Sequence, residues 1–314
     1  MIEVPMSAAA LARSRFVVSP VGEALDGVRA LSDPSFGAHL AVWARWARPR
    51  LRGLDFTLLD ATVRTGGYVP DFLVPVPPEG DRTLAASLAA IRATPPDRVR
   101  AELELAYRGR ALPVRLQLAL ADGEQALLDQ LTRELHTFWR VAMQPWWPAI
   151  EAALDDDIDH RGRVMARHGA EAMLAQLDRA LRWDDACLQI GVPESFVADW
   201  ADTGVVFAPS VFGGSRIYVS MQPWAPSMIY YPVRRRGPNG VQLNVDAARN
   251  GNTELLGRTR AAILGLLARP LSTTDLAARL DLSPSTVSYH LGVLYRAGLV
   301  DRHRDHRRVV YRRA

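Results

Sequence analysis

The sequence predicts an α+β chain in two parts. Residues 1–250 form a mainly helical N-terminal domain with a small antiparallel sheet, and residues 251–314 form a compact module of helices closed by a β-hairpin. Three observations carry this prediction. Apolar residues recur at helical spacing up to about residue 180. Short strand-like runs separated by Gly and Pro follow between 186 and 233. The C-terminal segment joins closely spaced helical patterns to an arginine-rich hairpin.

Helices are expected over 21–30, 37–47, 54–63, 82–93, 96–107, 123–143 and 148–180, the last broken or bent around 155–163. Prolines at 70, 75, 77 and 78 make 69–80 an extended connector, and Pro95–Pro96 marks another boundary. Strands are expected over 186–190, 204–208, 216–220 and 228–233. Residues 234–250 then read as a polar connector opening with a solvated triplet, Arg234 to Arg236.

The C-terminal module begins with a helix over 254–268, stopped by Pro270. In the next helix, ending at Leu280, Ser272 or Thr273 serves as N-cap and Asp275 lies near the positive end. After a short turn, Ser283 caps a third helix with Pro284 at its first position, where a missing N–H does no harm. Val287, Leu291 and Leu294 make the buried stripe. Ser285, Thr286, Ser288, Tyr289 and His290 lie off it, with short or flat hydrogen-bonding side chains near a helix N-terminus. Such a face suits base edges and phosphate. Strands at 299–303 and 307–313 enclose a tip at 304–306, and Arg302, Arg304, Arg307 and Arg308 surround it. Arginines on a projecting hairpin suit phosphate contact or minor-groove insertion. The order of helix, short helix, capped helix and hairpin is that of a winged helix-turn-helix, with double-stranded DNA as its partner.

Charge agrees. Residues 251–314 carry eleven arginines against five acidic residues, while the first 250 are net negative within a total of +4. The chain has no lysine, so part of the arginine excess reflects composition and not contact.

Residues 271–312, and the run STVSYHLGVLYRAGLV above all, resemble the ArsR-type family of bacterial transcriptional regulators. The resemblance implies a homodimer on a palindromic operator, often repressing. It implies DNA-facing roles for Ser285, Thr286, Ser288, Tyr289 and His290, and wing roles for Arg307 and Arg308. Thr273, Thr274 and Asp275 stand where metal-sensing members carry a cysteine-rich motif, and no helix is expected beyond the wing. Soft-metal sensing through that site is therefore not expected, and the dimer surface is expected in the 254–268 helix or the N-terminal domain. The N-terminal region resembles an uncharacterised domain of actinobacterial members through RFVVSP, GRV at Gly162–Val164 and APSVFGG at Ala208–Gly214. That likeness implies no ligand.

No GxGxxG, P-loop, HExxH or GxSxG motif occurs, so neither an enzyme nor a cofactor is expected. No run approaches 18 uncharged apolar residues and no secretory signal is read, so no membrane span is expected and a cytoplasmic location is. The lone Cys187 reads as a buried free thiol. Asp155, Asp156, Asp157, Asp159 and His160 read as a solvated acidic turn and not a metal site. All eight tryptophans precede residue 225. Phe138, Trp139, Trp146 and Trp147, around Pro145, are candidates for a pocket holding a small apolar or aromatic effector, with core packing or dimer contact as the plainer alternative. Competing readings are a constitutive or architectural DNA-binding protein without ligand control, a winged helix used for protein contact, and an enzyme fused to a winged helix.

Overall fold

In the computed structural model the described residues are 1–33, 40–63, 68–78, 80–108, 110–184, 186–192, 196–197, 204–214, 217–220, 227–234, 258–267, 270–280, 282–296, 299–305 and 308–313. Contacts divide the chain into two units, Met1–Leu243 and Asn244–Ala314.

The first unit opens with strand β1 (Ile2–Pro5), helix α1 (Ala8–Arg13), strand β2 (Arg15–Phe16) and helix α2 (Pro20–Ser32). Ser19 caps α2: its Oγ accepts the Gly22 N–H, and Pro20 takes the first helical position. The helical layer continues with α3 (Ala41–Arg50), α4 (Thr57–Val63), α5 (Leu84–Arg92), α6 (Pro96–Tyr107), α7 (Val114–Ala121), α8 (Glu124–Phe138) and α9 (Trp147–Ala175). A π-helical turn, Trp139–Met143, extends α8. The described residues of the proline-rich connector are irregular except for one 3₁₀ turn, Asp71–Leu73. Helix α7 was not expected: only Leu116 of its apolar residues is fully buried, so no strong amphipathic stripe marks it.

Strands β3 (Leu181–Asp184), β4 (Cys187–Ile190), β5 (Phe196–Val197), β6 (Val205–Ser210), β7 (Tyr218–Ser220) and β8 (Ser227–Pro232) complete the unit. The expected single antiparallel sheet is corrected to two four-stranded mixed sheets, ordered β3-β4-β1-β5 and β2-β6-β8-β7. β1 runs parallel to β5, and β6 runs parallel to both β2 and β8. The N-terminal strands enter these sheets beside partners some 190 residues away, a pairing no local pattern reveals. Every residue of β6 is buried, as expected of a strand covered on both faces. Val205 and Phe207 join Ile229 and Tyr231 in a core shared with the first sheet and the end of α9, while Val206 and Ala208 join Met228 and Tyr230 on the opposite face.

Two further expectations are corrected on α9. The helix is not broken at 155–163; its interruption lies at Gly169, where φ is 84°, a left-handed value that favours glycine. The acidic run is not a solvated turn. It is helical, Asp155 pairs with Arg82, and Asp157 is 2% exposed and ion-paired to Arg161 at 3.2 Å. Cys187 is half-buried, not buried. Among the described residues no cluster of His, Cys, Asp and Glu could hold a metal ion, and no helix is long and apolar enough to cross a membrane.

Buried carboxylates tie segments together throughout this unit. Glu134 accepts the Leu59 N–H at 2.9 Å, and Glu102 accepts that of Phe72 at 2.7 Å. Glu23 accepts both Val211 and Phe212 N–H groups, at 2.8 and 3.0 Å. The APSVFGG segment therefore wraps the acidic face of α2. Burial of Glu23 and the nearby Asp26 charge push the Glu23 carboxyl up to about 8, against the pull of those two N–H groups.

The second unit comprises α10 (Arg258–Leu266), β9 (Leu271–Ser272), α11 (Thr273–Leu280), α12 (Pro284–Arg296), β10 (Val300–Asp305) and β11 (Arg308–Arg313). Ile263, Leu264, Leu276, Val287, Leu291, Leu294 and Val300 meet in its core. β9 pairs antiparallel with β11 through Leu271 and Tyr311, a third strand that the sequence pattern did not suggest.

Candidate nucleic-acid interface

Capping sets the two helices of the turn. Ser272, not Thr273, caps α11: its Oγ accepts the Asp275 N–H at 3.2 Å, and Asp275 Oδ2 accepts the Ser272 N–H at 3.1 Å. This reciprocal pair satisfies two donors at the helix start. At the start of α12, Ser283 Oγ accepts the Thr286 N–H at 3.1 Å. The same oxygen lies 2.8 Å from the hydroxyls of both Ser285 and Thr286. The three hydroxyls form one exposed cluster at the positive end of α12.

Helical geometry separates the faces of α12. Val287, Leu291 and Leu294 are buried. Ser285, Tyr289 and Arg296 are exposed and, at spacings of four and seven residues, lie on the opposite side. Tyr289 is 65% exposed, far beyond what an apolar core role would leave. Thr286 and Ser288 are exposed on the flanks of this stripe. His290 is only half-exposed, and its Nδ1 is buried without a protein hydrogen-bond partner among the described residues. Its ring meets that of Tyr289 edge-on at 5.4 Å. His290 therefore stands at the margin of the exposed face and supports Tyr289. Arg296 was missed in the sequence, although its seven-residue offset from Tyr289 is a legible signal.

The hairpin register runs from Val300 opposite Arg313 to Asp305 opposite Arg308. Residues 304 and 305 of the expected tip therefore lie in β10, and His306 lies outside the described residues. Arg307 lies outside the described residues. Arg304 and Arg308 lie in the strands, and their side chains are likewise outside what is described. Arg302 is exposed, and its guanidinium lies 4.9 Å from the centroid of the Tyr295 ring on α12. This cation–π contact ties the base of the hairpin to α12. Arg312 pairs across the strands with Asp301 at 3.4 Å.

The aromatic set proposed as an effector pocket is placed differently from the tyrosines that line a cavity. Phe138 and Trp146 are fully buried and Trp139 nearly so. Phe138 packs edge-on against Phe56 at 5.8 Å and Trp146 edge-on against Trp46 at 5.5 Å, while Trp139 lies tilted against Trp147 at 4.8 Å. These rings fill space between helices. A cavity of about 110 Å³ lies where α2, the proline-rich connector and strands β7 and β8 meet.

A helix-turn-helix domain family matches residues 255–303, spanning the capped helices and reaching into the first strand of the hairpin. No curated protein and no solved structure matches the chain. The second unit therefore carries a helix-turn-helix DNA-binding domain.

Proposed function

We propose that the chain is a sequence-specific transcriptional regulator of the ArsR type and not an enzyme. It acts in the cytoplasm as a homodimeric repressor on a palindromic operator, under the control of a small effector bound by the first unit. The observation that carries this reading is the exposed stripe Ser285–Tyr289–Arg296, set opposite the buried Val287–Leu291–Leu294 stripe on a serine-capped helix. A helix so capped presents backbone N–H groups to phosphate and a polar face to base edges. Pairing two such helices on one duplex requires a two-fold dimer and half-sites about one helical turn apart.

Selection of binding sites from a random duplex library with the full-length protein tests the proposal. An enriched inverted repeat is the expected result. Salt-sensitive binding without an enriched sequence favours the architectural reading, and an enriched single half-site removes the dimer.

A further inference from the structure

The cavity in the first unit has a defined chemistry. Its floor is α2, through Gly22, Asp26 and Arg29. Tyr68, just before the connector, and Asp71 within it contribute a second side, and the sheet contributes Tyr218 and Tyr230. Two carboxylates and one guanidinium thus line it beside three tyrosine rings.

Arg29 is already committed to the wall. It lies 3.6 Å from Asp26, donates to the Tyr218 hydroxyl at 3.3 Å, and rests 4.7 Å from the Tyr218 ring centroid. The protein itself therefore places a cation on one of these rings. Tyr230 is held at its far side by Ser19, hydroxyl to hydroxyl at 3.2 Å. Burial above all, with the neighbouring acids adding to it, pushes its phenol well above the ordinary range. Asp26, though raised to about 6 by burial, is ionised at neutral pH.

Three tyrosines with carboxylates among them are an arrangement that receives alkylated ammonium groups, through ring quadrupoles and direct charge. The size agrees: a 150 Å³ cavity holds benzene, so about 110 Å³ suits roughly four or five heavy atoms, the bulk of a trimethylammonium group.

We propose that this cavity binds a small organic ammonium ion, its charge met by Asp26 and Asp71 and its alkyl groups seated against Tyr68, Tyr218 and Tyr230. As an effector site it rests on the regulator reading above. The binding itself does not, and its test contains no DNA, so the two can fail separately.

The test is calorimetric titration of the full-length protein with three probes of one shape and different charge: choline, neutral 3,3-dimethylbutan-1-ol and anionic 3,3-dimethylbutyrate. Choline is expected to bind at least about tenfold more tightly than the alcohol, with no detectable binding of the acid. Asp71→Asn is expected to weaken choline binding by about tenfold or more, and Arg29→Gln, which removes a like charge, to tighten it. Thermal unfolding of each variant confirms that it is folded. Equal binding of the alcohol overturns the proposal in favour of a plain apolar hole. Preference for the acid, lost in Arg29→Gln, overturns it in favour of an anion site. No choline binding at millimolar concentration overturns it outright.

Discussion

The hydroxyl of Tyr231 donates to the carboxylate of Asp157 at 2.9 Å, joining β8 to the middle of α9. Asp157 also accepts the backbone N–H of Arg234 at 2.9 Å and both Nε and Nη2 of Arg161, while Arg161 Nη1 reaches the Gln176 carbonyl at 2.7 Å. One buried carboxylate thus holds the end of β8 and the chain leaving it. A run of acidic residues that looked solvated contains the group on which this end of the unit is fastened.

Removing one partner of that pair strands a buried charge. Asp157→Ala should cost about 3–5 kcal/mol of stability, whereas the double change Asp157→Leu with Arg161→Met should cost distinctly less. Urea unfolding of the wild type, Asp157→Leu, Arg161→Met and the double variant measures the coupling; a double loss equal to the sum of the two single losses would show that the ion pair contributes little.

The acid pair on α2 gives stability an unusual pH dependence. Glu23 is raised from 4.5 to about 8 in the folded state and Asp26 from 3.8 to about 6, so the unfolded chain releases these protons first. Their contribution is therefore most favourable below about pH 4 and is lost progressively as pH rises to 8. Glu23→Gln should flatten this decline. Denaturant midpoints of both proteins from pH 5 to 9 check it, and parallel curves would rule Glu23 out as the source.

Gly22 permits the close approach of α2 to β8. A Cβ there would lie 2.6 Å from Tyr230 Cε1 and 3.1 Å from Ser19 Oγ. Gly22→Ala should destabilise the first unit by about 1–3 kcal/mol, the usual effect of overpacking. A thermal scan showing an unchanged melting temperature would mean that the ring moves aside freely.

On the second unit, the two kinds of contact should separate. Tyr289→Ala and Arg296→Ala should reduce discrimination between operator and random duplex, by about 1–3 kcal/mol each where a base contact is lost. Replacing Arg307 and Arg308 should weaken binding to both DNAs and reduce the salt slope by about one per phosphate contact. Titrations at several salt concentrations distinguish them; equal losses on all DNA from both sets would mean that the reading face is misassigned.

Ser283→Ala should cost about 1 kcal/mol through loss of the α12 cap. Because Ser283 also orders the hydroxyls of Ser285 and Thr286, operator affinity should fall more than stability does. A stability loss with unchanged operator affinity would separate the cap from the interface.

The C-terminal domain was largely legible from its residues. Its caps, buried stripe and hairpin are local features, written within spans shorter than twenty residues, and helical periodicity places Val287, Leu291 and Leu294 without any knowledge of neighbours. The same locality made the 96–107 helix readable from Pro96 to Tyr107. What stayed hidden depends on partners distant in sequence. β1 and β2 are too short to show periodicity and exist as strands only beside β4, β5 and β6. Asp157 looked like any acid in a charged run until Tyr231 and Arg234 were brought to it. The tryptophans announced bulk but not whether that bulk would fill or enclose, and it is the tyrosines of three separate segments that line the cavity. Side-chain chemistry and short-range spacing are carried by the chain in order. Burial, sheet order and cavities arise only when remote segments pack, because the hydrophobic drive to remove surface from water specifies no particular partner.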